Sequence, residues 1–310
     1  MAAGTGRFEG IAAMRDPAIV RMLPDGRRMH LHDGPIDLIV EPNGKHDEIS
    51  AAYEAAAKRF VTVLDELCGE LPLLRAQARR DSQVLRGTVA NRMAAAVAPY
   101  AEECFITPMA AVAGAVAEEI LYTMTGAAEL TRAYVNNGGD IGLHLGPEER
   151  YKVGMVERPD RPSLFGAIDI SYNMPVRGIA TSGWRGRSFS LGIADAVTVL
   201  AETAAMADAA ATVIANAVNL PKHPAITRVP ANEIGPDSDL GARLVTRAVG
   251  VLRDPEVAAA LESGANVARE LHERGLIVAA ALNLQGHTRV VSAADGREFM
   301  EFSQRSLLHA

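Results

Sequence analysis

Cysteine is scarce in this chain, and its placement excludes more than it offers. Of 310 residues two are cysteines, Cys68 and Cys104. They lie far apart, without CxxC spacing or neighbouring His partners, which argues against a zinc site and a disulfide framework and leaves two buried thiols. Aromatic residues make up only 5% of the chain, so an apolar core has to be built from aliphatic strands and closely packed Ala-rich helices. Positive charge is also short. The formal net charge is -7, and no Lys/Arg-rich run stands beside aromatics to track a phosphate backbone, which excludes nucleic acid as an expected partner. No uninterrupted apolar run is long enough to span a bilayer, and the start, MAAGTGRFEG, lacks a basic segment followed by an apolar one, so no membrane partner is expected and the predicted location is cytoplasmic.

What is present is regular alternation of short strands and helices. Pro24-Asp25-Gly26 and Asp33-Gly34-Pro35 are turn signals between β-like runs, predicting an opening hairpin or meander. Ile49, Tyr53, Phe60, Leu64 and Leu67 recur at helical spacing and predict an amphipathic helix from about Asp47 to Cys68. Helical patterns follow at Val89 to Ala98 and Pro108 to Met124, where Gly114 and its alanines suit a close backbone approach. Strand-like segments come next at Arg132 to Asn136, Asp140 to Leu145, Lys152 to Glu157, Gly166 to Ser171, Gly178 to Thr181 and Ala194 to Leu200. Their short connections favour antiparallel pairing, because parallel neighbours need long crossovers. An Ala-rich helix from Thr203 to Val218 ends before Pro221, a β segment spans Ala242 to Val251, and a helix opened by Asp254-Pro255 leads to a closing hairpin. The expected class is α+β, a single domain over 1–310 with an ordered core of about 20–292 and terminal extensions; a homodimer through apolar sheet edges is the default assembly.

Three segments carry candidate chemistry. In Tyr134 to His144, Gly138 and Gly139 expose backbone that can approach an anionic or carbonyl-bearing ligand, with Asn136, Asn137 and Asp140 adding polar groups; the same residues also make a plain hairpin turn, the favoured reading on spacing alone. In Arg177 to Asp195, Arg185 and Arg187 can bind phosphate or carboxylate, while Thr181, Ser182, Ser188 and Ser190 orient a ligand or cap backbone in a solvated loop. No nucleophile elbow or assignable His base accompanies these serines. In Ala207 to Thr212, Asp208 and Thr212 stand four residues apart, placing two oxygen donors on one helical face; an exposed Asp near a helix start and a back-bonded Thr explain the pair equally. His30, His32 and His144 sit singly or alternately on strands, where local hydrogen bonding is the ordinary role.

Taken in order, the small-residue helix, NNGGD, ATSG, ADAVTVLA and ADAAATVIA resemble the motif series of the ApbE-like flavin transferase superfamily, over about Pro108 to Val218. The resemblance implies a T-fold-like architecture of mainly antiparallel sheets packed with Ala-rich helices. It implies magnesium on Asp208, Thr212 and the Val112 carbonyl, and FAD or FMN against Asn136, Gly138, Gly139 and Asp140. The family's His-x-x-Asp-Pro segment reads Ser190-Leu-Gly-Ile-Ala-Asp195 here, and its usual Lys is Ala113. Without that imidazole, neutral-pH proton transfer of the ordinary kind has no donor. The chain therefore resembles a small cytoplasmic branch lacking the segment. The function expected from it is metal-assisted chemistry on a flavin, pterin-like or other anionic heterocyclic small molecule, with Asp140, Ser190 and Asp195 as polar groups at the substrate. A non-catalytic flavin or nucleotide carrier and an FMN transferase with a remodelled loop are the alternatives.

Overall fold

The computed structural model describes residues 17–80, 85–156, 164–292 and 300–302. Strands β1 (Ile19–Met22), β2 (Met29–Asp33) and β3 (Ile36–Gly44) form the expected meander. Both of its turns use a glycine at positive φ, 67° at Gly26 and 55° at Gly34, where L side chains are strained. Helix α1 (His46–Gly69) follows and buries Ala52, Ala56, Phe60, Val63, Leu64 and Leu67. Then come α2 (Leu71–Leu74), α3 (Thr88–Val97) and, through a tight 3₁₀ turn at Pro108–Ala111, α4 (Val112–Ala127).

Six strands follow in the expected order: β4 (Leu130–Asn137), β5 (Asp140–Leu145), β6 (Arg150–Val156), β7 (Leu164–Ser171), β8 (Gly178–Ser182) and β9 (Ala196–Ala201). Glu157, the expected end of the third, lies outside the described residues. After α5 (Ala204–Ala217) come β10 (Ile226–Pro230), α6 (Ala231–Ile234), β11 (Leu244–Val249), α7 (Asp254–Glu273), β12 (Ala279–Leu284), β13 (His287–Ser292) and β14 (Met300–Phe302). Strand β10, which among the described residues pairs only with β11, has no counterpart in the sequence reading because Pro224 before it and Pro230 at its end masked its pattern.

Nine strands make one sheet in the order β1-β2-β3-β4-β5-β8-β9-β12-β13. Every neighbouring pair in it is antiparallel. The chain leaves this sheet after β5, builds β6 and β7 of a second sheet with β14, and returns as β8. The large sheet has a core on each face. Leu31, Leu38, Val40, Val135, Val197, Val199 and Leu282 pack with the helices. Leu143, Leu145, Ile179 and Leu200 pack with Met155, Ile168 and Ile170 of the small sheet. Strand β9 is consequently buried at all six positions, as a strand covered on both faces must be.

The Ala-rich helices meet at backbone distance. A Cβ built on Gly114 of α4 would stand 2.2 Å from the Ala204 carbonyl oxygen, and one on Gly178 of β8 would stand 2.0 Å from that of Thr203. Both neighbours are backbone and cannot swing aside. Gly114→Ala is therefore expected to cost about 2 kcal/mol through overpacking, read as a lower urea midpoint at unchanged slope. The two cysteines are a correction: both thiols are free but exposed. Cys68 follows Leu67 on the helix and so turns away from its buried face, and Cys104 sits in the turn after Tyr100.

Candidate functional site

The turn Gly138-Gly139 is at once a hairpin turn and a cavity wall. Asn137 and Asp140 close the β4–β5 ladder around it, and the two glycines adopt φ of 66° and 116°, as a two-residue hairpin requires. Asn136 Oδ1 accepts from Gly139 N at 2.8 Å. Asn137, 4% exposed, donates its Nδ2 to the Ala113 carbonyl at 3.1 Å and ties the turn to the start of α4. A Cβ on Gly138 would meet Arg187 Nη2 at 2.6 Å, so the bare glycine is what lets the guanidinium lie against the turn.

The residue that precedes helix α4, Ala111, offers no side-chain cap. The missing acceptor is supplied by another helix: Gly114 N donates to Asp208 Oδ2 of α5 at 3.0 Å. Thr212 follows one turn later on the same face. Asp140 Oδ1 in turn accepts from Thr181 N at 3.2 Å.

Around these groups lies a cavity of two lobes. The larger, about 600 Å³, is lined by the Asn136 to Asp140 turn together with Thr181 and Ser182. The smaller, about 510 Å³, is lined by Val112, Phe105, Thr107, Phe189, Asp237 and Asp239. Ala113, Asp140, Arg187, Ser188, Asp208 and Thr212 line both and form the junction.

Burial pushes the Asp140 carboxyl up to about 7, although the Thr181 amide and the Arg187 charge pull the other way. Burial raises the Asp208 carboxyl well above its ordinary range, the nearby Asp140 charge adds to the shift, and the Gly114 and Ala113 amides oppose it. Two carboxylates that both resist ionisation in one place, with a hydroxyl beside them, make a donor set of hard oxygens suited to a divalent cation such as magnesium. The residues present fit that ion. The exposed-Asp reading of Asp208 is thereby set aside.

Three expected site residues lie elsewhere. Asp195, 4% exposed, does not line the cavity; it accepts from Trp184 Nε1 at 3.1 Å, Arg185 Nε at 2.6 Å and Gln285 N at 2.7 Å. Arg185 pairs with Asp195 and stacks on the Trp184 ring, 4.2 Å from its guanidinium carbon, and lines neither lobe. Ser190, 3% exposed, faces Asn216 Oδ1 at 3.3 Å and accepts from Gly192 N at 3.2 Å. Their polar density marks a loop braced from inside, and the expectation that Ser190 and Asp195 act at the substrate is corrected on that ground. Asp195→Ala is expected to cost about 2 kcal/mol, less than for a fully buried pair because Arg185 retains some exposure. Urea unfolding followed by the emission of Trp184, the sole tryptophan, checks this.

His144 keeps its ordinary role, with Nε2 3.1 Å from the Leu130 carbonyl oxygen. Beyond Val112 and the shared junction residues, the wall of the smaller lobe has no counterpart among the residues expected from sequence. Phe105, Thr107, Phe189, Asp237 and Asp239 come from separate loops, and Thr107 Oγ1 donates to Asp239 across 132 positions of chain. The only local signal was the acidic turn Gly235-Pro-Asp-Ser-Asp239.

Residues 20–290 match the model of a family described as AbpE bacteria. The chain belongs to the ApbE-like superfamily. This ApbE-like protein is 35% identical over 182 residues to a UPF0280 protein of Methanopyrus kandleri, covering 58% of this chain and 69% of the relative. A UPF0280 protein of Methanothrix thermoacetophila is 39% identical over 114 residues, 36% of this chain and 46% of the relative. The match thus spans about two thirds of the first relative and about half of the second. Among solved structures, the apo flavinyl transferase ApbE of Pseudomonas stutzeri is similar at 11% identity and a TM-score of 0.43, over 91% of this chain and 95% of that one. The ApbE protein of Thermotoga maritima is similar at 12% identity and a TM-score of 0.44, over 91% and 98%. Among the described residues, no helix is long and apolar enough to cross a membrane.

Proposed function

We propose that this ApbE-like protein is a metal-assisted enzyme acting on a flavin, pterin-like or other anionic heterocyclic small molecule, rather than a standard flavin transferase. The observation that carries the reading is the junction itself, where Asp140, Asp208, Thr212 and Arg187 converge between two lobes. Asp208 and Thr212 would hold magnesium together with a backbone carbonyl at Val112. The ion, when bound, would supply charge neutralisation for an anionic group of the substrate. Gly139, beside which space is open, lets the ring system approach the turn backbone, Arg187, lying against Gly138, pairs with the anion, and Asp140 is placed to hold a proton of the substrate at the junction. The larger lobe, with Asn136, Thr181 and Ser182 on its wall, takes the heterocycle, and the smaller takes what is attached to it.

A second reading, a flavin or nucleotide carrier without turnover, is favoured by one observation: among the described cavity-lining residues there is no His, Lys or Cys. One experiment separates the readings. Thermal unfolding is measured with FAD, FMN and reduced pterins, with and without magnesium, for wild type and Asp208→Ala. The enzyme reading expects a magnesium-dependent upward shift that Asp208→Ala abolishes; at a ligand concentration of about 100 Kd it amounts to about 2.7 kcal/mol. A shift without turnover of the bound compound supports the carrier, and no shift with any of them removes both readings.

A further inference from the structure

Away from the junction, one group of metal-ligating side chains converges among the described residues: His30, His32 and Asp37, whose ligand atoms lie within 4.8 Å of one another. Strand geometry brings them together. Met29, Leu31 and Asp33 point into the sheet's buried face, so the two histidines between them share the opposite one. Asp37, between buried Ile36 and Leu38, lies on that same face and is the direct cross-strand partner of His32. His30 Nε2 stands 3.1 Å from Asp37 Oδ1. His32 Nδ1 is 3.3 Å from Asp37 Oδ2 but is shielded from solvent and finds no aligned hydrogen-bond partner. A shielded ring nitrogen at ion-pair distance from a carboxylate but without an aligned hydrogen bond is costly as a hydrogen-bonding arrangement and inexpensive as a ligand set for a cation. The side chains of His32 and Asp37 are 40% and 44% exposed, which leaves an entry path.

We propose that His30, His32 and Asp37 bind a borderline divalent transition ion, of the zinc or cobalt class, at a site separate from the all-oxygen junction. Two imidazoles and one carboxylate select such an ion over magnesium, which prefers oxygen alone, and leave positions open for water or ligand. Asp37 also lines the larger lobe, so the ion lies at the rim of the cavity proposed to take the heterocycle.

Binding has a proton balance and a built-in competitor. His30 Nδ1 accepts from Arg21 Nε at 3.1 Å, which leaves the ring proton on Nε2, facing Asp37. Ligation through Nε2 moves His30 to its Nδ1–H tautomer, breaks the Arg21 hydrogen bond and releases no net proton from the neutral ring. Arg21 is exposed on the edge strand β1 and free to withdraw. Its guanidinium opposes the ion both by occupying Nδ1 and by its charge, so removing it tightens binding.

The test uses chelator-stripped full-length protein dialysed against zinc in the presence of excess magnesium, with metal content measured per chain, and cobalt absorption as a second readout of a nitrogen-containing site. Wild type and Asp208→Asn are expected to retain one equivalent of zinc. The double variant His30→Gln/His32→Gln is expected to lose affinity by about 100-fold or more, at least the upper end of what a supporting partner alone costs, and Arg21→Gln to gain it several-fold. Melting curves confirm that each variant is folded, and Asp37→Asn repeats the test from the other strand. The site is overturned if wild type retains no zinc, or if zinc is retained unchanged without His30, His32 and Asp37. Loss of zinc in Asp208→Asn would place the ion at the junction instead and equally overturn it. The proposed activity can fail while this site stands, because zinc content is read without substrate.

Discussion

At pH 8 and without divalent cation, Asp208→Asn is expected to melt higher than wild type while losing all response to magnesium. The wild-type carboxylate accepts from the start of α4 but is buried beside a second carboxylate, Asp140. Keeping a carboxyl that resists ionisation in the folded chain at this pH costs about 1–2 kcal/mol or more, and in a domain of this size 1 kcal/mol moves the melting temperature by about 2 °C, so a rise of a few degrees is expected. The amide oxygen of Asn keeps an acceptor for Gly114 N, which separates the removal of charge from the loss of the helix cap. Differential scanning calorimetry with and without magnesium reads both effects. A variant that melts lower than wild type in the absence of the ion would mean that Asp208 is chiefly a cap, and the junction would lose its case as a cation site.

The stability of the ion-free wild type is expected to fall as pH rises from about 4 to about 7, the reverse of the usual behaviour of carboxylates. Asp140 titrates at about 7 in the folded chain against an ordinary 3.8, and Asp208 is shifted the same way. In that window the folded chain retains protons that the unfolded chain has released, so unfolding becomes easier with each step in pH. The advantage is complete below the unfolded value and gone above the folded one. Asp140 alone contributes about 1.4 kcal/mol per pH unit, about 4 kcal/mol across the window. Asp25, held down by the Arg28 and Arg27 amides, and Glu256, held down to about 2 by Arg253, have the opposite sign. Their contribution is lost only as pH falls below about 4, so the two effects separate. Urea midpoints between pH 4 and 8, in chelator and then in excess magnesium, measure the slope; magnesium is expected to flatten it. A midpoint that stays level or rises with pH in chelator would show that the two carboxylates are solvated.

Strand order along the chain, antiparallel pairing and the main helices were legible in the sequence because each is fixed locally. Alternation sets the faces of β2 and β3, Pro and Gly mark the turns, and spacing sets the buried side of α1. The motif order likewise identified the superfamily, and it named the turn at Gly138 and the helix bearing Asp208. What those residues face was decided by the tertiary structure alone. The split of β6 and β7 into a second sheet creates the larger lobe, and loops distant in sequence create the smaller. Ser190, Arg185 and Asp195 show why polar density misleads. The sequence gives their hydrogen-bonding capacity, but whether that capacity is spent inside the loop or left for a ligand depends on which partners the fold brings within about 3 Å. Asp140 and Asp208 are the converse case. Burial and mutual repulsion depend on distance and dielectric rather than on residue type, so the long stretch of chain between positions 140 and 208 conceals a pairing whose electrostatic character exists only once α5 is packed against β5 and α4.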